Sequence, residues 1–80
     1  MTRPKTIHEI DTPAVLIDLD RAIANIAHAQ AHADAHRIKL RPHIKTHKLP
    51  FFAKMQQEAG AVGITCQKLG EAEVMADAGL

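Results

Sequence analysis

Leu40-Arg41-Pro42-His43-Ile44-Lys45-Thr46-His47-Lys48 is the stretch that decides the fold of this chain. Read with a period of two, Arg41, His43 and Lys45 share one side, and Leu40, Pro42 and Ile44 share the other. That alternation predicts a strand over residues 38–46, with the apolar set against a covering helix. Pro42 cannot donate to a ladder, so an irregular spot or bulge is expected beside it. The cationic set then lies on the opposite face, which in a closed barrel is the lumen. Three basic groups on one buried face are costly unless an anion sits there.

Working outward, residues 1–13 are polar, contain Pro4 and Pro13, and read as a lead-in arm. Residues 14–19 (Ala-Val-Leu-Ile-Asp-Leu) form a short apolar run and predict a buried strand. Asp20 is the expected N-cap of a helix over residues 21–36, which hold much alanine and neither glycine nor proline. Ile23, Ile26, Ala27 and Ala33 mark its inner face. Pro50 suits the first turn of a second helix that Gly60 ends, with Phe52, Met55 and Ala59 on one side. Residues 61–66 predict a third strand and residues 70–78 a third helix, closed by Gly79. Glu71 and Glu73 in its first turn complement the helix dipole.

The order strand, helix, strand, helix, strand, helix implies an α/β fold with parallel strands and right-handed crossovers. Three such strands leave open edges and an uncovered face. The expectation is therefore the N-terminal part of a longer α/β protein, in a class whose complete barrel takes about 250 residues.

Composition bounds the function. The chain has 80 residues, 46% of them apolar and largely alanine, with two Phe and no Trp or Tyr. That composition is globular, but poor in the large side chains that stabilise a small core. A net charge of +1 gives no electrostatic case for nucleic acid or an anionic membrane. Cys66 is the sole cysteine, which excludes an internal disulfide and fits a reducing compartment. No apolar run approaches a membrane span, and the N-terminus lacks the apolar core of a signal peptide. A soluble, cytoplasmic chain is the expectation.

Lys45 falls at the C-terminal end of its strand, the end where parallel α/β folds bind ligands. A lysine amine attacks only when deprotonated, and desolvation with neighbouring positive charge favours that form. Arg41, His43, His47 and Lys48 are the neighbours able to supply the charge. Residue types and spacing leave a second reading open, a solvated basic loop. His28, His32 and His36 recur at i, i+4, as metal ligands can, but fall opposite Ile23 and Ile26 and read as a solvated face. Cys66 groups with Val62 and Ile64 on the helix-facing side of the third strand, and Gln67 with Gly63 and Thr65 on the other. Asp18 and Asp20 read as strand end and N-cap, not as a catalytic carboxylate pair.

Arg41-Pro42-His43-Ile44-Lys45-Thr46-His47-Lys48 resembles the Arg-Pro-His-x-Lys-(Thr/Ala)-His-Lys signature of D-threonine aldolases and eukaryotic-type D-serine dehydratases. These are pyridoxal-phosphate enzymes of the alanine-racemase-like group, fold type III. Residues 12–20 look like the family's N-terminal Thr-Pro-x-x-x-x-Asp-Leu motif. Residues 63–73 resemble the Cys-Gln-Lys-x-x-Glu-Ala segment of the aldolase branch. The resemblance runs from about Thr12 to Leu80, with its motifs in order.

The resemblance implies a (β/α)8 TIM-type barrel followed by a C-terminal β-domain. Residues 1–19 would be an arm and a strand that joins that β-domain, and residues 20–80 the start of the barrel. Lys45 matches the lysine that holds pyridoxal phosphate covalently, with Arg41, His47 and Gln67 as cofactor-binding candidates. For His47 an equal alternative is a cap on the following helix, and for Gln67 a structural place on the barrel rim. The implied reaction is retro-aldol cleavage of a D-β-hydroxy amino acid, D-threonine giving glycine and acetaldehyde. Dehydration of D-serine or D-3-hydroxyaspartate is the alternative, against which Cys66-Gln67-Lys68 leans. A non-catalytic pyridoxal-phosphate-binding homeostasis protein is the reading from another class. Family members use a divalent metal held near the C-terminus of full-length relatives, so no metal ligand is assigned in this chain, which alone would be inactive. The full-length protein is expected to be a homodimer acting on a small D-amino acid, with no nucleic-acid or membrane partner.

Overall fold

Helix α1 (Leu19–Ala35) opens the regular structure of the computed structural model, which describes residues 3–80. Its N-cap is Asp18 and not Asp20: Asp18 Oδ1 accepts the Arg21 N–H at 3.2 Å. Asp20 falls inside the first turn, where its charge meets the positive end of the helix dipole. Such a cap contributes about 1 kcal/mol. The expected strand over residues 14–19 is not formed. Those residues make no interstrand hydrogen bond, and Val15 is 92% exposed. An isolated extended segment leaves half its backbone groups to water, so it needs a partner strand to be one. The expected arm begins with Met1 and Thr2, which lie outside the described residues. From Arg3 it is largely exposed and contains a 3-10 turn at Ile7–Glu9.

Helix α2 (Pro50–Ala59) starts with Pro50 in its first turn, as expected. Helix α3 (Leu69–Asp77) begins one residue earlier than the spacing predicts. All three helices end in one way: the backbone turns left-handed, and the next N–H reaches back five residues. Arg37 (φ 54°), Gly60 (φ 130°) and Gly79 (φ 96°) make the turns. Ile38, Ala61 and Leu80 then donate to the carbonyls of Ala33, Gln56 and Met75. These are Schellman closures, for which glycine is the usual residue because it has no Cβ to clash. Arg37 does the same job with strain.

The other two expected strands, residues 38–46 and 61–66, shrink to a single parallel bridge between His43 and Thr65. The Thr65 N–H donates to the Pro42 carbonyl at 2.9 Å, and the Ile44 N–H to the Thr65 carbonyl at 3.0 Å. One step earlier, the Val62 N–H donates to the Leu40 carbonyl at 2.9 Å. The reciprocal bond would need an N–H on residue 42, and proline has none. Between these pairings one segment advances two residues and the other three, so Gly63 and Ile64 form a bulge. Pro42 and this bulge together cut the ladder short. Among the described residues there is accordingly no strand: three helices and one bridge stand where the first part of a (β/α)8 barrel was expected.

Ile44 and Ala53 are fully buried and Met75 nearly so, with Ile64, Cys66 and Leu80 packed around them. Burying a side chain the size of Ile44 stabilises by about 1.5–3 kcal/mol. The core therefore sits beneath the bridge, between α2 and α3. Val62 was expected on this side with Ile64 and Cys66 but is 47% exposed. The bulge at Gly63 reverses its parity. Helix α1 packs on α2; its Ala33 and Gln30 are buried, and the Gln30 side chain lies against Gly60.

Candidate active site

The site is built at the C-terminal end of the parallel pair. The chain leaves the bridge at His43, buries Ile44, and turns at once through Lys45, Thr46 and His47. The Lys48 N–H donates back to the Ile44 carbonyl at 2.8 Å, and Lys48 takes φ 54° to close the turn. Two histidines bracket it. His43 Nδ1 accepts the Lys45 N–H at 3.1 Å, and His47 Nδ1 accepts the Leu49 N–H at 2.9 Å.

His47 is held further. Its Nε2–H donates to Gln56 Oε1 at 3.1 Å, and its ring lies 5.7 Å from that of Phe52. With Nδ1 accepting and Nε2 donating, the ring is the neutral Nε2–H tautomer, an assignment made from its partners. Both nitrogens are occupied by protein groups, so His47 ties the turn to α2.

Lys45 itself is exposed. The sequence predicts a buried cationic face; Arg41 and Lys45 are exposed and His43 half-buried, because no described element covers that side. The alternation itself holds: Ile44 is fully buried, and Leu40 and Pro42 partly so. The Arg41 side chain lies across Gly63 on the neighbouring segment, where any Cβ would run into the guanidinium. Arg41 makes no ion pair among the described residues.

Gln67 follows the second segment of the bridge with its side chain exposed. Its N–H donates to Glu71 Oε1 at 3.0 Å. Glu71 Oε2 lies 3.9 Å from Lys48 Nζ. The Gln67 N–H holds the Glu71 carboxyl below its ordinary range, aided by the Lys68 N–H and the charges of Lys48 and His43, against opposition from burial. The sequence shows Glu71 as a first-turn acid; its place four residues after Gln67, at a helix start, is the signal that a carboxylate can reach back.

Two hollows flank the turn. An open groove of about 670 Å³ is lined by Val15, Ile17, Ile26, Thr46, His47 and Phe52 among others. A smaller hollow of about 230 Å³ lies between Ile44, Lys48, Glu71 and Met75. Lys45 lines neither.

His28, His32 and His36 stay on the exposed face of α1. The rings of His32 and His36 are 4.3 Å apart, and His36 Nδ1 donates to the His32 carbonyl. Among the described residues no group of three or more His, Cys, Asp or Glu side chains could hold a metal ion. No described helix is long and apolar enough to cross a membrane.

No family model matches the chain. Individual proteins do. It is 50% identical over 74 residues to the D-threo-3-hydroxyaspartate dehydratase of Delftia sp. (strain HT23), covering 92% of this chain and 20% of that protein. It is 46% identical over 71 residues to the D-threonine aldolase of Arthrobacter sp., 89% of this chain and 19% of that one. Among solved structures, the D-threonine aldolase of Filomicrobium marinum superposes with a TM-score of 0.87 at 46% identity, over 91% of this chain and 20% of that one. The Delftia dehydratase superposes with a TM-score of 0.85 at 51% identity, over 89% of this chain and 19% of that one. The chain thus spans about a fifth of the length of the relatives it matches.

Proposed function

We propose, from the premise that this chain is a homologue of the N-terminal fifth of D-threonine aldolase and the D-3-hydroxyaspartate dehydratases and aldolases, that it carries the cofactor lysine of a pyridoxal-phosphate-dependent lyase. The substrate would be a D-β-hydroxy amino acid. The observation that carries this reading is the place of Lys45, one residue beyond the buried Ile44, in the turn that ends a parallel pairing.

The donor set fits the cofactor. An exposed primary amine suits an aldehyde, and the Arg41 guanidinium, without a carboxylate partner among the described residues, suits an anionic group. When bound, pyridoxal phosphate supplies an electron sink for the carbanion generated on the substrate. In this reading Lys45 would be the residue that holds the cofactor by its aldehyde group. Arg41, from its bed on Gly63, would orient an anion. Gln67 would contact the cofactor from the neighbouring segment. His47 braces the turn through Leu49 and Gln56 and would lie beside the cofactor, as the signature implies. Residues 1–19 would join a C-terminal β-domain, which accounts for the exposure of Val15, Leu16 and Ile17. The metal would be bound by residues beyond this chain, and the full-length protein would be a cytoplasmic homodimer.

Retro-aldol cleavage of D-threonine is the leading reaction, resting on Cys66-Gln67-Lys68. Dehydration of D-3-hydroxyaspartate is the second reading, favoured by the 50% identity to the Delftia dehydratase. The full-length protein loaded with pyridoxal phosphate and a divalent metal decides between them. Acetaldehyde and glycine from D-threonine support the aldolase. An α-keto acid and ammonia from D-3-hydroxyaspartate or D-serine move the assignment to the dehydratase. Tight cofactor binding with no turnover of either class supports a binding protein and refutes the lyase.

A further inference from the structure

We infer that Glu71 is a positioning residue that joins the turn carrying Lys45 to the loop carrying Gln67, and thereby directs the cofactor to Lys45 rather than Lys48; the inference rests on the assignment of Lys45 above. Two lysines stand three residues apart on this turn, and both side chains are exposed to solvent, that of Lys48 by 65%. Something must separate their roles.

Glu71 touches both loops at once. Its Oε1 accepts the Gln67 N–H at 3.0 Å, which fixes the carboxylate from its own loop. Its Oε2 lies 3.9 Å from Lys48 Nζ, so that ammonium reaches to α3. Lys48 is further constrained by its left-handed backbone and by its N–H bond to the Ile44 carbonyl. The Glu71 side chain is only 13% exposed and rims the small hollow beside Ile44, so it is placed far better than a surface carboxylate. The bond to the Gln67 N–H is the stronger of its two contacts, because an ion pair to an exposed lysine contributes little by itself. The carboxylate therefore acts mainly by fixing the two loops against each other and only secondarily by its charge on Lys48.

The test uses the full-length protein, pyridoxal phosphate as the probe, and two variants. Glu71→Ala removes both contacts, while Glu71→Gln keeps a carbonyl acceptor for the Gln67 N–H and loses the charge. Equilibrium binding of pyridoxal phosphate is measured, and the borohydride-trapped adduct is mapped by peptide. Glu71→Ala is expected to weaken binding about tenfold and to spread label onto Lys48, and Glu71→Gln to weaken it about threefold. Unchanged affinity and labelling in both variants overturn the inference. So does an equal loss in both with label confined to Lys45, the pattern of general loss of packing. Should Glu71→Ala fail to fold, the near-isosteric Glu71→Gln decides alone: affinity and label position unchanged from wild type overturn the inference. No label on Lys45 in the wild type overturns the reading beneath it, and this inference with it.

Discussion

The Ile44 N–H donates to the Thr65 carbonyl at 3.0 Å, and the Ile44 side chain is fully buried between α2 and α3. The residue before Lys45 is thus fixed by backbone and side chain together. Ile44→Ala leaves a cavity in the core and is expected to cost about 2–4 kcal/mol. Urea denaturation of the full-length protein checks this. An unchanged midpoint would show that Ile44 does not anchor the turn.

Gly60 takes φ 130°, and a Cβ placed there would sit 3.1 Å from Cδ and Nε2 of the buried Gln30. Gly60→Ala therefore meets backbone strain and a close contact at the α1–α2 seam, and is expected to destabilise by about 1–3 kcal/mol. Pairing it with Gln30→Ala relieves the contact but not the strain. Partial recovery of the melting midpoint in the double variant is the predicted result. Full recovery would mean that the backbone conformation costs nothing.

Glu71 has a depressed pKa, caused first by the Gln67 N–H. A carboxyl whose folded pKa lies below its unfolded value stabilises the fold above the unfolded pKa, and that contribution disappears as pH falls through the folded one. The stability difference between wild type and Glu71→Gln should therefore be largest well above the ordinary value of 4.5 and shrink as acid is added below it. Denaturation at a series of pH values measures it. A difference that grows toward low pH would reverse the sign of the shift.

Val15 is 92% exposed, Leu69 77%, Ile38 60% and Phe51 56%. So much apolar surface is unusual on a stable monomer. The 80-residue chain by itself is expected to bind a hydrophobic dye and to melt over a broad range. A sharp, cooperative calorimetric transition would contradict this.

The helices were legible in the sequence because their signals are local. Pro50, Gly60 and Gly79 announce ends, and the alanine run over α1 has no breaker. The strands were not, since a strand exists only through its partner. Residues 14–19 have none among the described residues. For residues 38–46, Pro42 signalled trouble correctly, but its extent depended on a bulge at Gly63 that only the pairing reveals. Arg37 gave no sign of a left-handed turn, which glycine elsewhere advertises. Gln30 continues the stripe of Ile26, Ala27 and Ala33, but its polarity hides a buried position, where Nε2 donates to Asp34 Oδ1 at 2.8 Å. In the site, the alternation of Arg41, His43 and Lys45 against Ile44 was readable, and the signature is what nominates Lys45 as the cofactor lysine. The bracing by His43, His47 and Glu71 was not, because each bond depends on how the turn closes.

The central claim is that Lys45 holds the cofactor. The full-length protein should be incubated with pyridoxal phosphate, reduced with borohydride, digested and mapped by mass spectrometry. A single phosphopyridoxyl label on Lys45, lost in Lys45→Ala, is the predicted result. Label on Lys48 or any other lysine of the wild type, with Lys45 unmodified, would contradict it.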